Sequence, residues 1–162
     1  MNIKHPDPYG AVDVAQLEEF EKTIGARLPE DYRAFLLHSN GGRPEERAFM
    51  APDDPLEEDS TWSGREIVGF YGLHTQIVPE SRDTMGALKL NEAWQDLQND
   101  APANTLLPIS QDWSGNYICL QLGQSGLGEV MYLDHEYEIE MPLAKNFTAF
   151  VEMLTKTAEN ED

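Results

Sequence analysis

The 162-residue chain has the length of a single domain, and folding at that size buries roughly 70% of the extended chain's surface. Eleven Lys and Arg against thirty Asp and Glu leave a net charge of −19. Such a surface repels nucleic-acid backbones and anionic membranes; it implies either plain solubility or halophilic adaptation, or a basic partner. The single cysteine, Cys119, excludes an internal disulfide and a thiolate metal cluster.

The opening MNIKHPDPYG is polar and proline-broken, unlike a signal segment, and no apolar run nears the ~20 residues that span a bilayer. A cytoplasmic location is the expectation. Asp13 has the character of an N-cap, with Gln16 completing a capping box. Leu17, Phe20 and Ile24 follow at helical spacing, and Gly25 is a natural stop. Pro29 opens a second helix, with Tyr32, Phe35 and Leu36 as its stripe and Asn40-Gly41-Gly42 as its end.

From Arg43 to Gly64 the chain is acidic and proline-spotted, which predicts a loop with one short strand near Ala48 to Met50. Arg65 to Leu73 is rich in β-formers and predicts a strand. A third helix is expected from about Thr84 to Gln98, striped by Leu90, Trp94 and Leu97. Thr105 to Ser110 reads as a buried strand that Pro108 places at an edge or a bulge. Ser114-Gly115-Asn116 is a turn before a strand from Tyr117 to Leu122, and Gly123 to Gly128 closes a hairpin onto Glu129 to Asp134. Phe147, Phe150, Val151 and Leu154 define a last helix capped by Asn146. Hairpin-linked strands with flanking helices make an α+β domain with a mostly antiparallel sheet.

No catalytic or metal-ligating set emerges. Gly123 to Gly128 leads into a strand pattern, whereas a phosphate loop needs a helix N-terminus behind it. His5, His38, His74 and His135 are scattered without the spacing of a helical zinc motif. Ser114 lacks the glycine and following helix of a nucleophile elbow, and Cys119 lies mid-strand. Carboxylate pairs are too abundant among thirty acids to select one. The sequence therefore points away from an enzyme, with no cofactor and no metal.

Charge placement says more than total charge. No Lys or Arg occurs between Lys89 and Lys145, and Asp134, Glu136, Glu138 and Glu140 alternate at spacing two. An extended strand would put these four on one face, with His135, Tyr137, Ile139 and Met141 on the other; a turn near His135 would break the ladder. Trp62, beside Glu57, Glu58 and Asp59, either anchors a protein interface or folds back onto the core.

Leu28, Pro29, Asp31, Tyr32, Phe35, Leu36, Asn40, Gly41 and Gly42 together resemble the signature of the SUKH superfamily, in particular its Smi/Knr-type branch. The blocks LLPIS, DWSGNYICLQL and GEVMYLDHE, and the ending LAKNFTAFVEML, are similar to later parts of that family in the same order. The resemblance implies a twisted, mostly antiparallel sheet with two N-terminal helices, a middle helix and a C-terminal helix around it. It covers residues 13–155 as one domain, with 1–12 an N-terminal extension and 156–162 an acidic tail. It also implies no catalytic apparatus. Bacterial members are frequently immunity proteins that neutralise a cognate toxin of contact-dependent or other polymorphic systems, many of them nucleases. Fungal relatives are regulatory interaction proteins. The expectation is a monomer that binds a basic toxin domain through Asp134, Glu136, Glu138 and Glu140 and through Glu57, Glu58, Asp59 and Trp62, with a toxin-free regulatory or scaffolding domain as the alternative.

Overall fold

A computed structural model describes residues 1–74, 89–101, 105–136 and 138–155. Helix α1 (Val14–Ile24) starts where Asp13 accepts from the Gln16 amide at 2.8 Å and the Gln16 side chain accepts from the Asp13 amide at 2.9 Å. That reciprocal pair satisfies two donors that a helix start leaves orphaned. Gly25 ends the helix in the left-handed conformation at φ 70°. Helix α2 (Glu30–His38) follows Pro29 and buries Tyr32, Phe35 and Leu36.

A short ladder joins β1 (Ile3–Lys4) to β2 (Arg43–Pro44). The main sheet runs in sequence order through β3 (Ala48–Pro52), β4 (Trp62–Phe70), β5 (Leu106–Asp112), β6 (Tyr117–Gln121), β7 (Val130–Asp134) and β8 (Ile139–Ala144), every pairing antiparallel. Helix α3 (Leu90–Asp100) interrupts the meander before β5, and α4 (Phe147–Met153) follows β8. The architecture is α+β, as expected. The third helix's expected start at Thr84 lies outside the described residues, whereas Leu90, Ala93 and Leu97 form its buried stripe and Trp94 packs beside the core. Strand β5 is interior to the sheet, and the register shift after Pro108 is the bulge that accommodates the missing donor.

The expected 43–64 loop is largely a hairpin: β3 and β4 pair from Ala48↔Glu66 to Pro52↔Trp62. Segment 1–12 is knitted into the domain. Tyr9 and Val12 are buried, and Asp7 accepts from the Asn40 amide at 2.6 Å.

Strand alternation sorts the core. Leu107, Ile109, Ile118, Leu120 and Val130 face the main cluster, while Leu106, Cys119 and the half-buried Met131 sit with Leu97 of α3. Phe35 of α2, Phe70 of β4 and Phe147 of α4 meet with centroids 5.1 to 5.5 Å apart. Asp31 reinforces this junction by accepting from the Thr148 amide at 2.9 Å and its hydroxyl at 3.0 Å. Phe49 of β3 and Tyr132 of β7 are 6.0 Å apart, although a flat sheet would separate those strands by about 19 Å. The sheet is therefore strongly curled, its main-core side concave.

Candidate interaction surface

In an antiparallel meander, alternate connections emerge at the same end of the sheet. The β3–β4, β5–β6 and β7–β8 turns thus share one end, and the two acidic segments singled out in the sequence are brought to it together.

At the centre is Asp112, only 1% exposed. Its Oδ1 accepts from the Ser114 amide at 2.8 Å and the Asn116 amide at 3.0 Å, fixing the β5–β6 turn. Its Oδ2 accepts from the Tyr132 hydroxyl at 2.6 Å and from Asn116 Nδ2 at 3.3 Å. Burial first, and then the Asp112 carboxylate, push the Tyr132 hydroxyl well above its ordinary pKa, so it stays a donor. Asn116 Oδ1 accepts the His135 amide at 3.0 Å, tying the β7–β8 turn to the β5–β6 turn. Arg65 completes the connection: it sits against the Tyr132 hydroxyl and donates to Ser63 at 2.8 Å and to Asp53 at 3.3 Å. Three hairpin ends share one polar network, buried at Asp112 and open to solvent at Asp53.

The alternating acids do not form one strand face. Strand β7 ends at Asp134, whose carboxylate accepts from the Glu136 amide at 2.9 Å, and Glu138 adopts φ 55°, a left-handed conformation incompatible with a continuing strand. Glu140 pairs with Leu133 and Asp134 with Ile139, so Asp134 and Glu140 project from opposite faces. The turn reading is correct and the ladder is not. Of the residues expected on the other face, Ile139 is half-buried, Met141 packs beside the core, and His135 is occupied with Asn116; Tyr137 lies outside the described residues.

Glu57, Glu58 and Asp59 are exposed in the β3–β4 connection. Trp62 begins β4 opposite Pro52 and is 54% exposed, not folded onto the core. Sequence reasoning missed Trp113, which is 59% exposed at the β5–β6 tip. Its signal was the Asp-Trp-Ser-Gly-Asn turn, in which Gly115 at φ 87° and the buried Asp112 leave the tryptophan outside. Segments 48–64 and 90–144 contain no Lys or Arg, and the adjoining Arg65 is engaged by Asp53.

Other chemistry has little to stand on. Burial holds the Cys119 thiol well above its usual pKa, hence protonated and unreactive. Among the described residues, no group of three or more His, Cys, Asp or Glu is placed to hold a metal ion, and no helix is long and apolar enough to cross a membrane.

The model of the SMI1/KNR4 family (SUKH-1) matches residues 11–153. The chain belongs to this family. Within this SUKH-1 chain, the signature residues Leu28, Tyr32, Leu36 and Asn40 are buried and none lies at the hairpin end. The chain is also 30% identical, over 132 residues, to an SPbeta prophage-derived uncharacterized protein, YokK, of Bacillus subtilis strain 168. That alignment covers 75% of this SUKH-1 chain and 61% of the relative, so the chain spans less than two thirds of the relative's length.

Proposed function

We propose that this chain is an immunity protein, without catalytic activity, that binds and neutralises a basic toxin domain, a nuclease being the first candidate. The carrying observation is the gathering of Glu57, Glu58, Asp59, Asp134, Glu136 and Glu138 at one sheet end, between segments devoid of Lys and Arg, in a family that includes immunity proteins. Such a concentration of one sign speeds encounter with a basic surface and disfavours other partners. Carboxylates carried on rigid turns can occupy the positions that a nuclease offers to phosphates, or simply cover the cleft.

Co-expression with a candidate toxin domain, sought in the gene adjacent to that of this chain, tests the reading. Rescue of growth together with co-purification is expected; undiminished toxicity sinks it. The surface has its own test in the double substitution Glu136→Lys and Glu138→Lys. Association should slow by about tenfold and lose part of its salt dependence. An unaltered rate and salt slope would remove the β7–β8 turn from the surface.

A further inference from the structure

The β3–β4 hairpin reaches beyond its neighbour. Its rungs run from Pro52↔Trp62 to Ala48↔Glu66, whereas β4 first pairs with β5 at Ile67↔Asp112. Five residues of β4, Trp62 to Glu66, therefore extend about 16 Å as a two-stranded ribbon. One face of the ribbon carries Phe49 and Ala51, both buried, opposite Arg65 and Ser63, so that face is the packed one. The other face presents Met50 and Pro52 opposite Gly64 and Trp62.

The outer part of this face is apolar and open, whereas its inner end carries Glu66, ion-paired with Arg47. Met50 is 49% exposed, and it lies on the diagonal from Trp62, about 7–8 Å away and within reach of an indole ring. Between them Gly64 leaves a gap: a Cβ placed there would meet no atom within 4 Å. Glycine is a poor strand residue, and nothing in the backbone requires it at this position, since Gly64 has no positive φ. Just past Pro52 come Asp53, Asp54, Glu57, Glu58 and Asp59, and no Lys or Arg lies between Arg47 and Arg65. The open position over Gly64 thus lies between an indole and a thioether, on a hairpin whose connecting segment is acidic. That combination fits a guanidinium, which is planar, weakly hydrated and attracted both to indole faces and to carboxylates.

We infer that the outward face of the β3–β4 hairpin is a docking surface for an arginine of a basic protein partner, seated over Gly64 between Trp62 and Met50. The inference deepens the proposed function and rests on it only for the partner being a basic protein. The ribbon is suited to this because Arg65 ties it down twice, by its ion pair with Asp53 just past the outermost rung and by its place against Tyr132, so the surface exists before the partner arrives.

The test needs no toxin. Fluorescently labelled arginine-rich and lysine-rich peptides of equal length and charge are titrated into the full chain near physiological salt, with anisotropy as the readout. Wild type should bind the arginine peptide about threefold to tenfold more tightly than the lysine peptide. Trp62→Ala should abolish that preference while retaining weaker, salt-sensitive binding of both. Gly64→Val fills the recess at a site with room for the side chain and favourable strand propensity, so it should leave the urea midpoint unchanged or raised while also abolishing the preference. Equal affinity of wild type for the two peptides overturns the inference, as does a preference that survives in both variants. Arginine preference alongside failed growth rescue would discard the toxin and retain the hairpin surface. Full protection by Trp62→Ala, with no arginine preference in the wild type, would discard the hairpin surface and retain the toxin.

Discussion

The hydroxyls of Tyr32 and Tyr132 are both withdrawn from water, and burial raises the pKa of each. Their partners differ. Tyr132 donates to Asp112 and accepts from Asn116, whereas the Tyr32 hydroxyl has no hydrogen-bond partner among the described residues. An unmade bond costs the desolvation of the group, and removing that group recovers it. Tyr32→Phe should therefore be neutral or stabilising by up to about 1 kcal/mol, with the ring contacts to Phe147 preserved. Tyr132→Phe should cost about 2 kcal/mol, because a buried carboxylate loses its closest donor. Urea titrations of the two variants check this; a larger loss for Tyr32→Phe would mean that the buried network is not what secures the hairpin end.

At the scale of elements, the Asn40-Gly41-Gly42 ending of α2 shows why a local signature can be read without revealing a function. Asn40 bridges distant segments, donating to the Gly10 and Leu73 carbonyls at 2.8 Å and accepting from the Leu73 amide at 2.8 Å. Gly41 sits at φ 79° against the end of β4, and a Cβ there would come within 2.7 Å of the Gly72 nitrogen and 2.8 Å of the Phe70 oxygen. Gly25 has a similar φ of 70° but open space around it. Thermal or urea unfolding should accordingly show Gly41→Ala costing about 3 kcal/mol or more and Gly25→Ala only about 1 kcal/mol; equal losses would refute the close-approach account. Elements whose cause is local were legible in the sequence: the Asp13 cap, the α1 and α2 stripes, the Asn146 cap and the β6–β7 hairpin. The turn at His135 was legible only as one of two readings, because the acid spacing has the period of a strand while the turn depends on Asn116, nineteen residues earlier. Likewise, reading 43–64 as loop hid the β3–β4 hairpin, and with it the parity that brings both acidic segments to one end. Trp113 was overlooked because its exposure follows from a buried Asp112, which a composition of thirty acids does not single out.

The whole molecule carries its excess charge in two opposing ways. Thirty acids against eleven bases repel one another in the folded state, and only some of that repulsion is relieved locally, as where Arg33 meets Glu21 at 3.1 Å in a largely buried pair. Exposed pairs such as Lys22 with Glu19 add little. Raising sodium chloride from ~0.02 to ~0.5 M shortens the screening length from roughly 20 to about 4 Å. That range spans the spacing of neighbouring surface carboxylates, so the free protein should gain on the order of 1 kcal/mol, about 3 °C in Tm. The same screening removes the long-range attraction for a basic partner, so the association rate should drop by tenfold or more over the same interval. Stability and association thus respond to salt with opposite signs because the same carboxylates act on both. A calorimetric Tm that falls with salt would show that ion pairs outweigh self-repulsion in this fold. An association rate indifferent to salt, with Tm rising as expected, would assign the acidity to solubility and deprive the hairpin end of its electrostatic role.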